Sequence, residues 1–188
     1  MNSVKLKKDS ALLVVVDMQE KLVPAMGAKK ELIDRTSVLC RGAKELDLPI
    51  LVTQQYTKGL GKTIDEIADI IAPDGLSEND YIDKTDFSVL KDKCFADKLK
   101  KLSKGQIILA GIETHICIMQ SCIDLILSGY DVFIAEDCMS SRRKRDHING
   151  LKRMQDSGAN MTTAEAILME MIGGAKNEHF RAISNIIK

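Results

Sequence analysis

Ala11-Leu12-Leu13-Val14-Val15-Val16 is an unbroken apolar run that stops at Asp17. No polar residue alternates within it, so an extended chain here is apolar on both faces. That fits a central strand of a parallel sheet, buried from both sides. Working outward, a helix is expected over 29–47, with Leu32, Ile33, Val38, Leu39, Ala43 and Leu46 gathered towards one face. Pro49 introduces a second strand over 50–53. The turn-rich stretch 56–61 leads into a helix over 63–72, which Pro73-Asp74-Gly75 ends. A third strand covers 81–83 and ends at Lys84, followed by a helix over 88–102. Strand 106–110 closes at Gly111, and helix 114–128 breaks at Gly129. A fifth strand over 130–135, a basic helix over 141–157 and a short sixth strand over 159–161 follow. Thr162-x-x-Glu165 has the form of a capping box opening a helix through Ile172, and a last helix is expected over 177–187. Strands alternating with helices predict an α/β fold, a parallel sheet between two helical layers. No repeat, linker or low-complexity segment divides the chain, so one domain over 1–188 is expected.

The composition restricts the partners. The chain has 188 residues, with 27 Lys and Arg balanced by 27 Asp and Glu. Zero formal charge gives no electrostatic reason to bind nucleic acid or an anionic membrane. Aromatic residues make up 4% with no Trp, which disfavours base-stacking platforms. The apolar run after the lysine-rich stretch 1–10 is too short for a signal h-region or a membrane span. Five scattered cysteines, at 40, 94, 117, 122 and 138, form no Cys-x-x-Cys pair. A cytoplasmic protein with reduced, mostly buried thiols is expected.

In open α/β sheets, ligands bind beyond the carboxyl ends of the strands. Asp17 after the first strand, Lys84 after the third and Cys117 just past the fourth stand at such ends. Singly, Asp17 could cap a turn, Lys84 could be solvated and Cys117 could pack like Cys122 and Cys138. Together they describe an activated nucleophile. A helix amino terminus and an ammonium would lower the thiol pKa, and a carboxylate could take the thiol proton and return it to a leaving group.

Val15-Val16-Asp17-Met18-Gln19, Lys84 with Phe87, and Gly111-Ile112-Glu113-Thr114-His115-Ile116-Cys117, in that order, resemble the isochorismatase-like cysteine hydrolase superfamily. Thr53-Gln54-Gln55-Tyr56-Thr57-Lys58-Gly59-Leu60-Gly61 and Asp137-Cys138-Met139-Ser140-Ser141-Arg142 are similar to its isochorismatase-domain-containing subgroup. The resemblance implies a Rossmann-like, three-layer α-β-α fold with six parallel strands ordered 3-2-1-4-5-6. It also implies a catalytic triad of Asp17, Lys84 and Cys117, and a cis peptide between Ile112 and Glu113. The backbone N–H groups of Glu113 and Cys117 would form an oxyanion hole. Gln19, Gln55, Tyr56, Phe87, His115 and Arg142 would line the substrate pocket. The implied partner is a small molecule cleaved at a C–N or vinyl-ether bond, with no cofactor, in a homo-oligomer.

Departures from the pattern matter too. Metal-dependent nicotinamidases of this superfamily carry Asp-x-His-x-x-His after the second strand, whereas this chain reads Gln54-Gln55-Tyr56-Thr57-Lys58. His115, His147 and His179 have no metal spacing, so no metal site is expected. His115, two residues before Cys117, is expected to face solvent or the pocket rather than to act as base. Arg142-Arg143-Lys144-Arg145 is expected to be a solvated helix start, since Asp146 follows and no aromatics are interleaved; the alternative is that Arg142, nearest the carboxyl end of the fifth strand, reaches a substrate carboxylate. Gly59 and Gly61 make no dinucleotide fingerprint and suggest a flexible loop over the pocket. Three other readings compete: a binding or scaffold protein that keeps the fold, a nicotinamidase-type amidohydrolase, and a redox pair of Cys117 and Cys122, whose i, i+5 spacing suits a disulfide poorly.

Overall fold

The computed structural model describes residues 4–188, so the first three residues of the lysine-rich stretch lie outside the described residues. Its centre is a six-stranded sheet ordered β3-β2-β1-β4-β5-β6, in which every named pair is parallel. The strands are β1 (Ala11–Val16), β2 (Ile50–Gln55), β3 (Tyr81–Lys84), β4 (Gln106–Ile112), β5 (Asp131–Ser140) and β6 (Asn160–Thr162). The helices are α1 (Lys29–Glu45), α2 (Thr57–Leu60), α3 (Asp65–Ile71), α4 (Lys93–Leu102), α5 (Met119–Leu127), α6 (Lys144–Asp156), α7 (Ala164–Ile172) and α8 (Phe180–Ile187).

The double-faced apolar run behaves as its composition requires. All six residues of β1 are buried; Leu13 and Val15 enter one core layer, while Leu12, Val14 and Val16 enter the other. β4 splits the same way, Ile108 and Ala110 against Ile107 and Leu109. Each such aliphatic side chain contributes roughly 1.5–3 kcal/mol by leaving water. One layer takes residues from α1, α3, α7 and α8, the other from α4, α5 and α6. The last helix therefore docks within the subunit, with Ile183 fully buried.

Several boundaries differ from those expected. The helix placed over 88–102 is a 3-10 turn, Val89–Lys91, followed by α4; Asp92 caps α4 by accepting from Phe95 N at 2.9 Å. β5 runs on to Ser140, because a register shift lets the polar pair Glu136-Asp137 bulge out before pairing resumes at Met139 and Ser140. The capping box is displaced by one residue. Thr162 pairs with Ala135 in β6, so Thr163 becomes the N-cap of α7. The stretch 56–61, expected to be a flexible turn, contains α2 and is pinned. Thr57 N and Oγ1 both donate to Asp83 Oδ1 at 2.9 Å, and Lys21 Nζ donates to the Gly59 carbonyl at 2.8 Å.

Two features place the site. β1 lies between β2 and β4, so the chain leaves β1 and β4 on opposite sides and opens a crevice at their carboxyl ends. There β4 passes very close to β1: a Cβ on Gly111 (φ 120°) would sit 2.0 Å from the Val16 carbonyl oxygen, so only glycine fits.

Candidate active site

Asp17 emerges from β1 in a left-handed turn (φ 54°), a conformation Asp tolerates better than most residues. Its backbone N–H is held by the Thr53 carbonyl at 3.1 Å, and its Oδ1 accepts from Thr53 Oγ1 at 2.7 Å. Lys84, the last residue of β3, reaches across the end of β2 and donates to Asp17 Oδ2 at 2.7 Å. Both residues are 1% exposed. The other Lys84 contacts are Gln55 Oε1 at 2.6 Å and the Asp86 carbonyl at 3.2 Å, so three acceptors match the three ammonium protons. Burying an ion pair is tolerable only when its remaining hydrogen-bonding capacity is met in this way.

Cys117 stands on the segment Thr114–Ile118, which forms a π turn before α5 rather than the first turn of an α-helix. It is 6% exposed, and its thiol interacts with both Asp17 and Lys84. The three residues expected to act together therefore do meet. The expected lowering of the thiol pKa does not occur. Burial pushes the Cys117 thiol up to about 12, with the Asp17 carboxylate acting in the same direction and the Lys84 ammonium opposing it. Lys84 is already balanced by Asp17, which leaves little field for a thiolate. Cys40 and Cys122 are pushed to about 12 by burial alone. Cys138 is buried as expected, but Cys94 is exposed on α4 rather than packed.

The peptide between Ile112 and Glu113 is cis. The Glu113 side chain turns to Arg142: Oε2 accepts from Arg142 N at 3.0 Å and Nε at 3.1 Å, and Oε1 accepts from Nε at 3.2 Å. Arg142 Nε is thus engaged by a protein carboxylate, while its side chain stays 61% exposed. Gln19 also changes role. It is fully buried; Nε2 donates to the carbonyls of Gln55 (3.1 Å) and Gly61 (2.7 Å), and Oε1 accepts from Gln55 N at 2.7 Å. It clamps the loop between β2 and α3 rather than lining a pocket. Tyr56 and Phe87 are each 51% exposed, next in chain to Gln55 and Asp86. His115 Nδ1 lies 3.0 Å from Ser141 Oγ, and His147 Nδ1 lies 2.8 Å from Thr114 Oγ1.

Three contributors were missed by sequence reasoning: Thr53, His147 and Ser121, whose Oγ donates to the Cys117 carbonyl at 2.6 Å. Only Thr53 left a signal, as a polar residue closing an apolar strand. A cavity of about 490 Å³, lined in part by Glu31, Glu136, Ser141, Lys144 and His147, opens beside the Cys117 turn and touches none of the triad. Among the described residues, no group of three or more His, Cys, Asp or Glu is placed to hold a metal ion. Among the described residues, no helix is long and apolar enough to cross a membrane.

The model of the Isochorismatase domain matches residues 11–166 of this sequence. The chain belongs to the isochorismatase family. Isochorismatase domain-containing protein 2 of Xenopus laevis is 35% identical over 183 residues, 97% of this chain and 86% of that protein. Among solved structures, the MAR1 ribonuclease of Caenorhabditis elegans is similar at 34% identity and a TM-score of 0.87, covering 97% of this chain and 92% of that one. The YcaC gene product of Escherichia coli, titled an octameric hydrolase of unknown specificity, superposes with a TM-score of 0.86 over 100% of this chain and 96% of that one. At 22% identity that is a likeness of fold alone. The isochorismatase-family membership accounts for the strand order and makes this a hydrolase-type domain.

Proposed function

We propose that the protein is a cysteine hydrolase acting on a small molecule, with Cys117 as nucleophile, Asp17 as proton carrier and Lys84 as the cation that fixes Asp17. The observation that carries this reading is the convergence of these side chains, from three separate strand ends, in one buried cluster. With the thiol held neutral by burial, a base in contact with it is a requirement, and Asp17 is that base.

For a C–N substrate, Cys117 Sγ attacks the carbonyl carbon and the thiol proton passes to Asp17. Negative charge on the substrate oxygen is taken by the backbone N–H groups of Glu113 and Cys117, beside the Ile112–Glu113 peptide. Asp17 returns the proton to the leaving group and then draws a proton from water, which releases the acyl group from Cys117. Lys84 keeps the carboxylate in place while its charge changes. His115, hydrogen-bonded to Ser141, is part of the wall and not the base. The whole chain acts as one such domain, in the cytoplasm, and assembles with copies of itself.

The test is an intact-mass trap. Wild type and Cys117→Ala are incubated with a library of small amides, esters and vinyl ethers. A mass increment on wild type that is absent from Cys117→Ala, together with product release, is expected. Turnover retained by Cys117→Ala would end the proposal. Because the C. elegans relative is titled a ribonuclease, a short RNA belongs in the panel. It is expected to survive uncut, since the chain's zero formal charge offers phosphates no excess of cations.

A further inference from the structure

We infer that His147 is a positioning residue of the Cys117 site: through the Thr114 hydroxyl it holds in place the backbone N–H groups that take up negative charge. The inference rests on the cysteine-hydrolase reading and adds a residue to that site.

The turn that carries Cys117 is tied down by three consecutive side chains, all reaching the segment 141–147. Glu113 accepts from Arg142 N and Nε, Thr114 Oγ1 lies 2.8 Å from His147 Nδ1, and His115 Nδ1 lies 3.0 Å from Ser141 Oγ. These ties are unequal. The Arg142 side chain is 61% exposed, so water competes with its pairing to Glu113. Thr114 is 0% exposed, so water does not replace His147 as the partner of its hydroxyl.

His147 is itself fixed. Its backbone N–H donates to the Arg143 carbonyl at 3.1 Å, in the first turn of α6. His147 and Gly150 stand three residues apart, so they share the face of α6 that rests on the turn. A Cβ on Gly150 would meet the Thr114 carbonyl oxygen at 3.0 Å, which shows how closely that face approaches. Burial holds the His147 pKa below its ordinary value, so the ring is neutral at neutral pH and its bond to Thr114 carries no charge.

Oxyanion donors are effective only when aimed at the point where charge develops. Thr114 is bonded directly to Glu113 and stands three residues before Cys117, the two residues whose N–H groups are the proposed donors. Ile116 N and Ile118 N donate to the Glu113 carbonyl at 3.0 and 3.3 Å, which joins both ends of the turn. A displacement of Thr114 therefore moves both donors.

p-Nitrophenyl acetate and iodoacetamide separate this role from the reactivity of the thiol alone. With the ester, Cys117 Sγ bonds to the carbonyl carbon and the carbonyl oxygen carries negative charge in passing. p-Nitrophenolate then leaves with its bonding electrons, and the thiol proton goes to Asp17. With iodoacetamide the same thiol displaces iodide, its proton again goes to Asp17, and no oxyanion forms. Acylation is read as p-nitrophenolate release above that of Cys117→Ala, and alkylation by peptide mass spectrometry. In His147→Phe, acylation is expected to fall about threefold to tenfold, the range of one hydrogen bond, with alkylation within about twofold of wild type. His147→Asn, whose amide can take the place of Nδ1, is expected to restore acylation. His147→Phe lowers the melting temperature by orphaning a buried hydroxyl. Adding Thr114→Val should restore that temperature while acylation stays low. Acylation that is unchanged in His147→Phe, that falls no more than alkylation, or that recovers with melting temperature in the double variant would overturn the positioning role. So would His147→Asn acylating no faster than His147→Phe. All of these leave the cysteine-hydrolase reading standing. Wild-type release no greater than that of Cys117→Ala would also overturn the inference; if Cys117 is then alkylated no faster than buried Cys122, the hydrolase reading falls with it.

Discussion

At the scale of single residues, the site is organised around one buried ion pair. Lys84 and Asp17 are each 1% exposed and face each other at 2.7 Å. Asp17→Asn leaves the ammonium uncompensated, and a loss of about 3–5 kcal/mol is expected in urea unfolding, with turnover abolished. The double variant Asp17→Asn/Lys84→Met removes both charges. It should recover most of that stability while remaining inactive, so the cycle separates the pair's effect on folding from its role in proton transfer. Recovery of activity along with stability would mean that Asp17 is only a structural anion. The residues themselves were legible as candidates: an Asp closing an apolar run, a Lys closing a short weak strand and a Cys just past a fourth strand need no coordinates to be singled out. The state of the thiol was not. A helix terminus and a cation argued for a lowered pKa, but burial and the nearby carboxylate prevail and hold the thiol at about 12.

At the scale of elements, the Cys117 turn is held from behind by α6. A Cβ on Gly150 would lie 2.9 Å from His115 Cα and 3.0 Å from both His115 N and the Thr114 carbonyl oxygen, all backbone atoms that cannot swing aside. Alanine is the better helix former by about 0.5–1 kcal/mol, so propensity alone would favour Gly150→Ala. The clash reverses the sign: a loss of about 1–3 kcal/mol is expected, with slower Cys117 alkylation as the turn is pushed out of place. Melting and labelling on the same sample check both effects. An unchanged melting temperature would show that α6 shifts freely. Element types followed from apolar periodicity, whereas several ends did not. β5 outruns its apolar stretch because Glu136-Asp137 can bulge; Asp137 there accepts from Arg35 Nε at 3.1 Å and from Ala164 N at 2.8 Å, tying α1 and α7 to the sheet. Those are contacts more than twenty residues apart, outside any local window.

At the scale of the whole molecule, the buried thiols couple stability to pH. Cys40, Cys117 and Cys122 are each raised from 9.0 to about 12 in the folded chain. A raised pKa means that the folded form keeps its proton after the unfolded form has lost it. Above pH 9.0 the folded state thus binds more protons, and unfolding free energy falls as pH rises. The stabilisation is complete below that value and is lost towards pH 12, at about 1.4 kcal/mol per pH unit for each thiol. Urea midpoints measured from pH 8 upward should decline steeply, and Cys40→Ala/Cys122→Ala should flatten the decline; a level profile would contradict it. The amino-acid sequence by itself determined the α/β class, the double-faced central strand and the three strand-end residues, because these depend on local periodicity and on where apolar runs stop. Only the tertiary structure decided which charges neutralise one another, that Gln19 clamps a loop, that Glu113 takes Arg142, and that the Thr114 hydroxyl meets His147. Those outcomes depend on distances between residues remote in the chain and on exclusion of water, which exist only once the sheet and its two helical layers have closed.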